Sequence, residues 1–389
     1  MTLRWSLAGE VLLRKEGAER VESGQLNIYE KWLSSVRGPV SEGDLVAIKD
    51  ESGEFLGIGF YEGVGSILVR VLSRELSDPA QVVEERLRDS LSLRERLKLD
   101  NFFRWVYSEA DSLPGLIVDA YDDVVVLSST SIGMDLRIES IASMVERIYR
   151  PSSIVLRNDS RPRKEVDLPL ERRIIKGSKS RAVIREGSAL FHVDAMEGQK
   201  TGFFIDQRMN RLELGRLAGP GDRVLDLFSY TGGFSMHAAI SGAYVTAVEE
   251  SDYAVAEMRR NALLNSVNVN IVKSRVKEFL ERDQELYDIV VVDPPAFAPR
   301  RDMVEIAKRT YVAVNASALS KVVPGGLIIT SSCSLFISKE KFRRVIERAS
   351  RRAAREVKIL KELQPSPDHP FDPKHPWTLY LKGYVLQVT

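Results

Sequence analysis

The chain has 389 residues, of which 44% are hydrophobic and 29% charged, and its formal net charge is +1. This length predicts two or three domains, and the composition is typical of an ordinary soluble globular protein. The single cysteine, Cys333, excludes an internal disulfide and a cysteine metal cluster, and the few histidines lack ligand spacing. No apolar stretch is long enough to span a membrane, and the N-terminal segment has charges inside its apolar run, unlike a signal peptide. We therefore expect a cytoplasmic protein without a metal.

Three regions of the chain differ in their pattern of apolar residues. Residues 1–73 contain short apolar runs between turns, which predicts a small β domain. Residues 74–195 combine a long helical pattern with several short strands, which predicts a small α+β domain. Strands and helices alternate through residues 196–389, and residues 377–388 alternate like a closing hairpin. The third region is therefore predicted to be a Rossmann-like, doubly wound α/β sheet with an antiparallel edge.

The segment Val224–Ser235, with the sequence VLDLFSYTGGFS, predicts the turn around which the third region is organised. It begins as the end of a buried parallel strand, continues as a turn of small residues, and ends in a helix. Such a turn lies at the ligand-binding edge of a doubly wound sheet. We expect Gly232 and Gly233 to let a ligand approach the backbone, since a side chain there would hold it away.

The ligand of this turn is predicted to carry a positive charge. The dinucleotide fingerprint G-x-G-x-x-G is absent, whereas an acid, Asp226, lies on the strand itself. S-Adenosylmethionine, which carries an ammonium and a sulfonium, is such a ligand. Glu249 ends the next predicted strand, where a carboxylate can accept the hydroxyls of a ribose. The alternatives are a turn without a ligand and, for Glu249, an ordinary helix-capping acid.

Two further strand ends carry groups suited to chemistry. Asp293 follows an apolar strand and precedes Pro294 and Pro295, which fix the turn so that the acid can face the amide edge of a planar base. Cys333 lies among serines just after the predicted strand Leu327–Thr330. A lone cysteine is usually an inert buried side chain, but its place among hydroxyls at the ligand edge favours a nucleophile.

Lysines and arginines are concentrated in two segments. Residues 157–185 contain ten Lys or Arg against four acids, and residues 341–361 contain nine against two. Such segments suit a phosphate backbone, and a solvated helix face is the alternative for the second. Arg161, Arg163 and Lys164 are the candidate RNA contacts of the first segment.

The third region closely resembles the RlmI-like class I methyltransferases, which make 5-methylcytosine in large-subunit ribosomal RNA. The matching motifs are GQKTG (198–202), DQR (206–208), FSYTGGF (228–234), DPPAF (293–297), SCS (332–334), DHP (368–370) and LYLKGY (379–384). Upstream, SEADSLPGLIVD (108–119) is similar to the central domain of that family. Residues 1–73 are similar to its PUA domain, a small RNA-binding β-barrel.

The resemblance implies a reaction. Cys333 would add to C6 of cytosine, C5 would then take the methyl group from S-adenosylmethionine, and Asp293 would hold the N3/N4 edge of the base. The base would have to be unpaired or flipped out. Together with the residues above, the resemblance gives as cofactor-binding residues Gln207, Arg208, Asp226, Phe228, Ser229, Tyr230, Thr231, Gly232, Gly233, Glu249, Ser274 and Asp293. It gives as substrate-binding residues Pro294, Pro295 and Phe297, besides Arg161, Arg163 and Lys164.

Two positions depart from related enzymes. Many 5-methylcytosine enzymes carry a second cysteine where this chain, like the RlmI-like proteins, has none and places Ala296. The third strand ends in Lys273-Ser274-Arg275, where an aspartate usually contacts adenine, so Ser274 or the backbone would take that role. Two other functions stay open, an RNA N-methyltransferase that uses the DPP motif and a catalytically silent RNA-binding module. Ribosomal RNA is the expected partner, and a homodimer is left open.

Overall fold

The structure, a computed structural model, describes residues 5–63, 65–165, 168–298 and 300–389. The chain divides into two compact units. The first contains the described residues of Met1–Ile184, Val193–Phe204 and Pro367–Thr378, and the second contains those of Arg185–His192, Ile205–Ser366 and Leu379–Thr389. The first two predicted domains fall largely within the first unit, and a domain boundary at residue 73 remains a prediction.

A six-stranded mixed sheet forms the N-terminal part of the first unit. Its strands are β1 (Leu7–Leu13), β2 (Asn27–Tyr29), β3 (Leu33–Arg37), β4 (Leu45–Asp50), β5 (Phe55–Tyr61) and β6 (Ile67–Ser73), in the order β2-β6-β5-β4-β1-β3. Helix α1 (Lys15–Glu22) buries Ala18 and Val21 against Val46 and Val69 of this sheet. The apolar runs predicted β4, β5 and β6, whereas the strands before them were not predicted.

A second sheet in the first unit has five strands, with helices around it. The strands are β7 (Phe102–Tyr107), β8 (Leu116–Tyr121), β9 (Val124–Ser129), β10 (Ser153–Asn158) and β11 (Glu171–Lys176), in the order β11-β10-β9-β8-β7. The helices are α2 (Pro79–Arg96), α3 (Ile132–Asp135), α4 (Ile138–Tyr149) and α5 (Arg161–Glu165). Leu45 and Phe60 of the first sheet share one core cluster with Trp105 and Val125 of the second. This common core explains why both sheets belong to one unit.

The chain continues through a two-stranded sheet, β12 (Arg181–Glu186) and β13 (Ala189–Asp194), into the second unit. Its strands are β14 (Arg223–Leu227), β15 (Tyr244–Glu249), β16 (Val269–Lys273), β17 (Tyr287–Val292), β18 (Val322–Ser332), β19 (Val357–Leu363) and β20 (Lys382–Val388). Its helices are α6 (Arg208–Leu217), α7 (Gly233–Ile240), α8 (Asp252–Leu264), α9 (Val276–Arg282), α10 (Val304–Leu319) and α11 (Lys339–Ala353). Short 3-10 helices lie at Glu30–Trp32, Ser108–Asp111, Ile205–Gln207, Arg301–Met303 and Pro376–Thr378.

The large sheet of the second unit has the strand order β16-β15-β14-β17-β18-β20-β19. β14 to β18 are parallel, and β20 runs antiparallel to both of its neighbours, β18 and β19. Alternate residues of each strand face opposite sides, so Val224 and Val291 lie in a core with Phe234 of α7. Leu225 and Val290 lie in the opposite core, with α9, α10 and α11. The predicted doubly wound sheet is confirmed.

Two details of the predicted sheet are wrong. Residues 377–388 do not form a hairpin, because β20 is a single strand whose partners, β18 and β19, come from earlier in the chain. The antiparallel strand is therefore next to the edge, and β19 is the edge.

The basic segment 341–361 is divided between two elements, since α11 ends at Ala353 and the rest of the segment enters β19. Among the described residues, no helix is long and apolar enough to cross a membrane.

A buried charge cluster connects β12, α6 and α7 in the second unit. Arg211 donates from Nε to Glu186 Oε1 and from Nη2 to Oε2, both at 2.6 Å, and His237 Nε2 lies 2.9 Å from Oε1. Burial would raise the pKa of Glu186, but Arg211 and His237 together lower it to about 2. A Cβ on Gly233 would lie 2.7 Å from Arg211 Cδ, so this ion pair also supports the start of α7.

Replacing the buried acid tests this cluster. Glu186→Gln should lower the free energy of unfolding by about 3 kcal/mol, because it leaves Arg211 buried without its counter-charge. Urea denaturation followed by circular dichroism at pH 7 measures this. The matched control, Glu362→Gln, removes the exposed partner of Lys339 and should change stability by less than about 1 kcal/mol.

The pH dependence has a definite sign. The folded-state pKa of Glu186 lies below the ordinary value of 4.5, so its stabilisation is present above pH 4.5 and is lost as the pH falls towards 2. The difference between wild type and Glu186→Gln should therefore shrink as the pH falls from 4.5 towards 2. Equal stability of the two proteins at pH 7 would contradict this account.

Candidate functional site

The carboxyl ends of four parallel strands meet at one edge of the large sheet. Leu227 at the end of β14 is level with Val248 of β15 and Val292 of β17. Val292 is in turn level with Thr330 of β18. Ligands bind at this edge in open α/β sheets. The residues that follow these positions are the 228–233 turn, Glu249, Asp293 and Cys333, as the sequence predicted.

The turn after β14 has an uncommon backbone conformation. Phe228 (φ 61°), Tyr230 (φ 48°) and Gly232 (φ 83°) all lie in the left-handed region, where only glycine is unstrained. The bend is held by Ser229, whose backbone N–H and Oγ both donate to the Val248 carbonyl, at 3.2 and 3.1 Å. Strained residues of this kind cluster at ligand-binding sites. The turn is therefore a strong candidate for ligand contact.

The predicted reason for the two glycines is wrong. A Cβ on Gly232 would lie 2.7 Å from Met258 Cγ, and one on Gly233 would lie 2.7 Å from Arg211 Cδ. A side chain at either position would therefore point towards a neighbouring helix, α8 for Gly232 and α6 for Gly233, rather than towards a ligand. Glycine is needed for close packing at both positions, and at Gly232 also for its positive φ. Cofactor binding by the backbone of these residues remains a prediction.

Asp226 is a buried acid with unsatisfied hydrogen-bonding capacity. Only 1% of the residue is exposed, and its Oδ2 accepts a hydrogen bond of 2.6 Å from Ser235 Oγ. Its other oxygen, Oδ1, is buried and has no hydrogen-bond partner within the described part of the chain. Burial raises the pKa of Asp226 to about 7, and the nearby charges of Asp293 and Glu249 add to the rise. A positively charged ligand at this edge would favour the ionised form of Asp226.

Glu249 ties β15 to the turn. Its Oε2 accepts the backbone N–H of Tyr230, and its Oε1 accepts those of Glu250 and Ser251, all at 2.9 Å. Ser251, rather than Glu249, caps α8. Ser274 follows β16 and donates its backbone N–H to the Glu249 carbonyl at 3.0 Å, which places it beside the predicted ribose contact. The roles of Glu249 and Ser274 towards a cofactor remain predictions.

Asp293 is oriented by a group of neutral side chains. Gln207 Nε2 donates to Asp293 Oδ1 at 2.8 Å and lies 3.2 Å from Ser331 Oγ, and Ser331 Oγ also donates to Oδ1. Asn210 Nδ2 in turn donates to Gln207 Oε1 at 2.5 Å. Gln207 is 3% exposed, so its contacts make it an orienting residue for Asp293. Sequence analysis missed Asn210, for which no motif gave a signal. Arg208, predicted with Gln207, is also buried.

Cys333 is half-buried and directly follows β18. Its two neighbouring serines are fixed by Tyr311 of α10, whose hydroxyl lies 3.0 Å from Ser332 Oγ and 2.9 Å from Ser334 Oγ. The DPP turn contacts the same tyrosine, because the Phe297 ring lies 4.7 Å from the ring of Tyr311 between centroids. Pro294 is buried and Pro295 is exposed.

One residue close to Cys333 was not predicted to act there. Lys382, the first residue of β20, donates from Nζ to the Ser334 carbonyl at 2.6 Å. The sequence contained a signal for it, because Lys382 lies within LYLKGY, one of the motifs that carry the family resemblance.

The prediction that Arg163 contacts RNA is wrong. It is 1% exposed, donates to the carbonyls of Ser129 and Pro169 at 2.7 Å, and forms an ion pair of 2.6 Å with Asp135. Arg161 and Lys164 are exposed and remain predicted contacts. Among the described residues, at least seven of the ten cations in 157–185 form ion pairs, namely Arg157, Arg163, Arg172, Arg173, Lys176, Lys179 and Arg181. This segment is therefore far less positive than its composition indicates.

Helix α11 presents a different surface. Phe342, Val345, Ile346 and Ala349 form its buried face. Its exposed arginines Arg343, Arg344, Arg348 and Arg352 form no ion pair in the part of the chain that the structure describes. Within the same described ranges, no group of three His, Cys, Asp or Glu side chains is arranged to hold a metal ion.

The strand order, the turn after β14 and the acidic edge together define a methyltransferase of the S-adenosylmethionine-dependent class. A family model described as S-adenosylmethionine-dependent methyltransferase matches residues 173–377, and one described as PUA-like domain matches residues 11–74. The chain belongs to this methyltransferase family, and S-adenosylmethionine is its cofactor.

Relatives of known name cover nearly the whole chain. Ribosomal RNA large subunit methyltransferase I of Alteromonas mediterranea is 30% identical over 98% of this chain and 100% of the relative. The enzyme of the same name from Aeromonas salmonicida is 32% identical over 92% and 94%. A protein of Methanocaldococcus jannaschii, with a provisional name as a ribosomal RNA large subunit methyltransferase, is 36% identical over 89% of each chain. The predicted resemblance to the RlmI-like family is confirmed.

The fold is also that of a solved structure. A crystal structure described as a methyltransferase complexed with SAH matches 97% of this chain and 99% of its own, with a TM-score of 0.83 at 21% identity.

The residues at the sheet edge of the present chain fit a cationic cofactor. Asp226 Oδ1 and Thr231 Oγ1 are both buried without a hydrogen-bond partner among the described residues, so each has a capacity that a ligand can satisfy.

The raised pKa of Asp226 gives a testable pH dependence for cofactor binding. A cationic ligand favours the ionised acid, so binding should release a proton when the pH is below 7. Affinity for S-adenosylmethionine should rise about tenfold between pH 6 and pH 8, as the ionised fraction rises about tenfold around a pKa near 7. Asp226→Asn should abolish this rise. Isothermal titration calorimetry in two buffers of different ionisation enthalpy measures both affinity and proton release.

The control for this experiment is Glu250→Gln, which removes an exposed acid next to Glu249. It should keep the pH dependence of the wild type. If Asp226→Asn shows the same pH dependence as the wild type, Asp226 does not face the cationic part of the cofactor.

Proposed function

We propose that this protein methylates C5 of a cytosine in large-subunit ribosomal RNA, with Cys333 as the nucleophile. The observation that carries the proposal is that Cys333 and Asp293 emerge from adjacent strands, β18 and β17, at the carboxyl edge of the sheet. The relatives named as ribosomal RNA large subunit methyltransferases support the substrate class.

The arrangement supports a covalent mechanism. The Cys333 thiolate would form a bond to C6, and the electrons displaced from the C5–C6 double bond would make C5 nucleophilic. C5 would then take the methyl group of the sulfonium. A base would remove the C5 proton, and the C6–S bond would break to restore the ring and the thiolate.

Asp293 would recognise the base. Gln207 and Ser331 both donate to Oδ1, which fixes the rotation of the carboxylate about its bond to the turn. A carboxylate held in this way can accept a hydrogen bond from the N4 amino group of cytosine, or donate to N3 when protonated. Pro294 and Pro295 keep the backbone of the turn in place, so that the acid need not reorganise when the base enters.

RNA would be held by surfaces outside the reaction centre. The PUA-like domain at residues 11–74 supports RNA as the class of substrate. In the second unit, the exposed arginines of α11 that have no ion-pair partner among the described residues are the better candidates for phosphate contact, because the cations of 157–185 are mostly bound to acids. Exposed unpaired arginines can release counterions from RNA without first breaking an ion pair.

Removal of the thiol tests the mechanism. Cys333→Ala should keep affinity for cofactor and RNA, because it removes one sulfur atom and no phosphate contact. It should lower methyl transfer at least roughly a thousandfold, since C5 is a poor nucleophile until C6 is attacked. Mapping of 5-methylcytosine in ribosomal RNA with and without the protein gives the modified position.

A substituted RNA separates the alternatives. With 5-fluorocytosine at the target, the wild type should form a complex that resists denaturation, because fluorine cannot leave as a proton does, and Cys333→Ala should not. Methylation by Cys333→Ala near the wild-type rate would overturn C5 chemistry and favour the RNA N-methyltransferase. RNA binding without any methyl transfer by the wild type would favour the silent binding module.

Charge reversal tests the RNA surfaces. Arg344→Glu combined with Arg348→Glu should flatten the salt dependence of RNA binding by about two units of slope, one for each lost phosphate contact. Filter binding across salt concentrations measures this. The same reversal at Arg161 and Lys164 tests the other segment. If the first pair leaves the slope unchanged and the second alters it, RNA contacts 157–185 rather than α11.

A further inference from the structure

The side chain of Lys382 reaches the turn that carries Cys333. β20 pairs antiparallel with β18, and Lys382 is level with Ser332, the residue just before the cysteine. Its Nζ donates to the carbonyl of Ser334, the residue just after the cysteine, at 2.6 Å. Lys382 is 8% exposed. The lysine therefore lies beside both ends of the Ser332-Cys333-Ser334 segment and holds it from the interior.

Lys382 is unusual in being a buried cation without an acidic partner. No carboxylate forms an ion pair with it in the described ranges, although buried lysines are almost always paired. Burial lowers the pKa of Lys382 to about 8, and the charge of Cys333 opposes this by favouring the ammonium. The same negative charge contributes to the rise in the pKa of Tyr311, after burial, to about 12. The position of Lys382 beside Ser332 and Ser334 therefore brings its ammonium near the one residue of this turn, Cys333, that can become an anion.

Three acids and one tyrosine of the same unit are engaged by other groups. Glu362 on β19 is bound to Lys339 of α11. Asp293 on the β17 side is bound to Gln207 and Ser331, and Asp206 accepts from Tyr380. Tyr311 on α10 is protonated at neutral pH and is engaged by Ser332 and Ser334.

We propose that Lys382 is a positioning residue for Cys333. Lys382 fixes the turn through the Ser334 carbonyl and stabilises the Cys333 thiolate with its ammonium. A cation near a half-buried thiol favours ionisation, because the opposite charges attract in surroundings less polar than water. At pH 7, below the pKa of Lys382, the ammonium keeps its proton during the reaction, so it stabilises the thiolate both before addition to C6 and after release. This catalytic meaning rests on the proposed function.

The composition of the chain makes a direct test simple. Cys333 is the one cysteine among 389 residues, so alkylation by iodoacetamide reports on this thiol alone. The midpoint of the alkylation rate against pH should lie below about 8.5, the ordinary value for a thiol. In Lys382→Met the midpoint should rise by about one pH unit. Lys382→Arg, which keeps a cation, should stay near the wild type.

The matched control is Lys339→Met, which removes an exposed lysine at the start of α11. It should leave the midpoint unchanged. If Lys382→Met does not fold, the wild type alone still decides, because its midpoint should be lower in the folded protein than in urea. A folded midpoint at or above the value in urea, or an unchanged midpoint in folded Lys382→Met, overturns the proposal.

Kinetics distinguish positioning from a general structural role. In Lys382→Met, kcat for methyl transfer should fall more at pH 7 than at pH 9, where the thiolate forms without help, and KM should stay near the wild-type value. An equal loss at both pH values would indicate a structural role only and would overturn the proposal. If Cys333→Ala retained methylation, the C5 mechanism would fail, whereas the alkylation profiles would still decide whether Lys382 acts on Cys333.

Discussion

The parallel pairing of β14 with β15 and β17 is the constraint on which the functional site depends. It places Asp226 and the residues that follow the three strands at one edge, where burial makes their shared negative charge unfavourable. The protein relieves this partly with neutral donors: backbone N–H groups at Glu249, and Gln207 and Ser331 at Asp293. The penalty for ionisation is largest at Asp226, whose pKa is raised to about 7, and a cationic ligand would reduce it. We expect these negative charges to favour a sulfonium cofactor over a dinucleotide phosphate.

The one antiparallel strand of the large sheet contributes to the same edge for a geometric reason. Parallel strands deliver their last residues to the ligand edge, whereas a strand running the other way delivers its first. β20 therefore begins at this edge with Lys382, beside the end of β18 and Cys333. Inserting β20 between β18 and β19 thus brings a cation to an otherwise acidic site. In the proposed mechanism Asp226 and Glu249 would serve the cofactor, and Lys382 would serve the thiol.

Local sequence patterns predicted much of the secondary structure and its order. They could not predict contacts between residues that are distant in the chain. Apolar strands, with Asp226 inside one and Asp293 and Cys333 after two others, were sufficient to predict the sheet. The alternation in 377–388 predicted a closing hairpin, which is wrong, because alternation could not show that the partners of β20 come from earlier in the chain. Gly232 and Gly233 were recognised, yet the side chains they accommodate, Met258 and Arg211, lie elsewhere in the sequence. Asn210 and Gln207 gained their roles only through packing beside Asp293.

The distribution of charged side chains shows the same limit of sequence-based prediction. It also determines where we expect RNA to bind. The 157–185 segment has the larger number of cations, but Arg173, Lys176 and Lys179 reach acids that lie well before them in the chain. A count along the sequence includes the bases and omits those partners. In α11 the acids are few, and the apolar face packs inward, so the arginines of the opposite face point away from the core. The electrostatic field at the surface depends on charge that is not neutralised by a partner. We therefore expect the exposed arginines of α11 to attract RNA more strongly than the larger number of paired cations in 157–185.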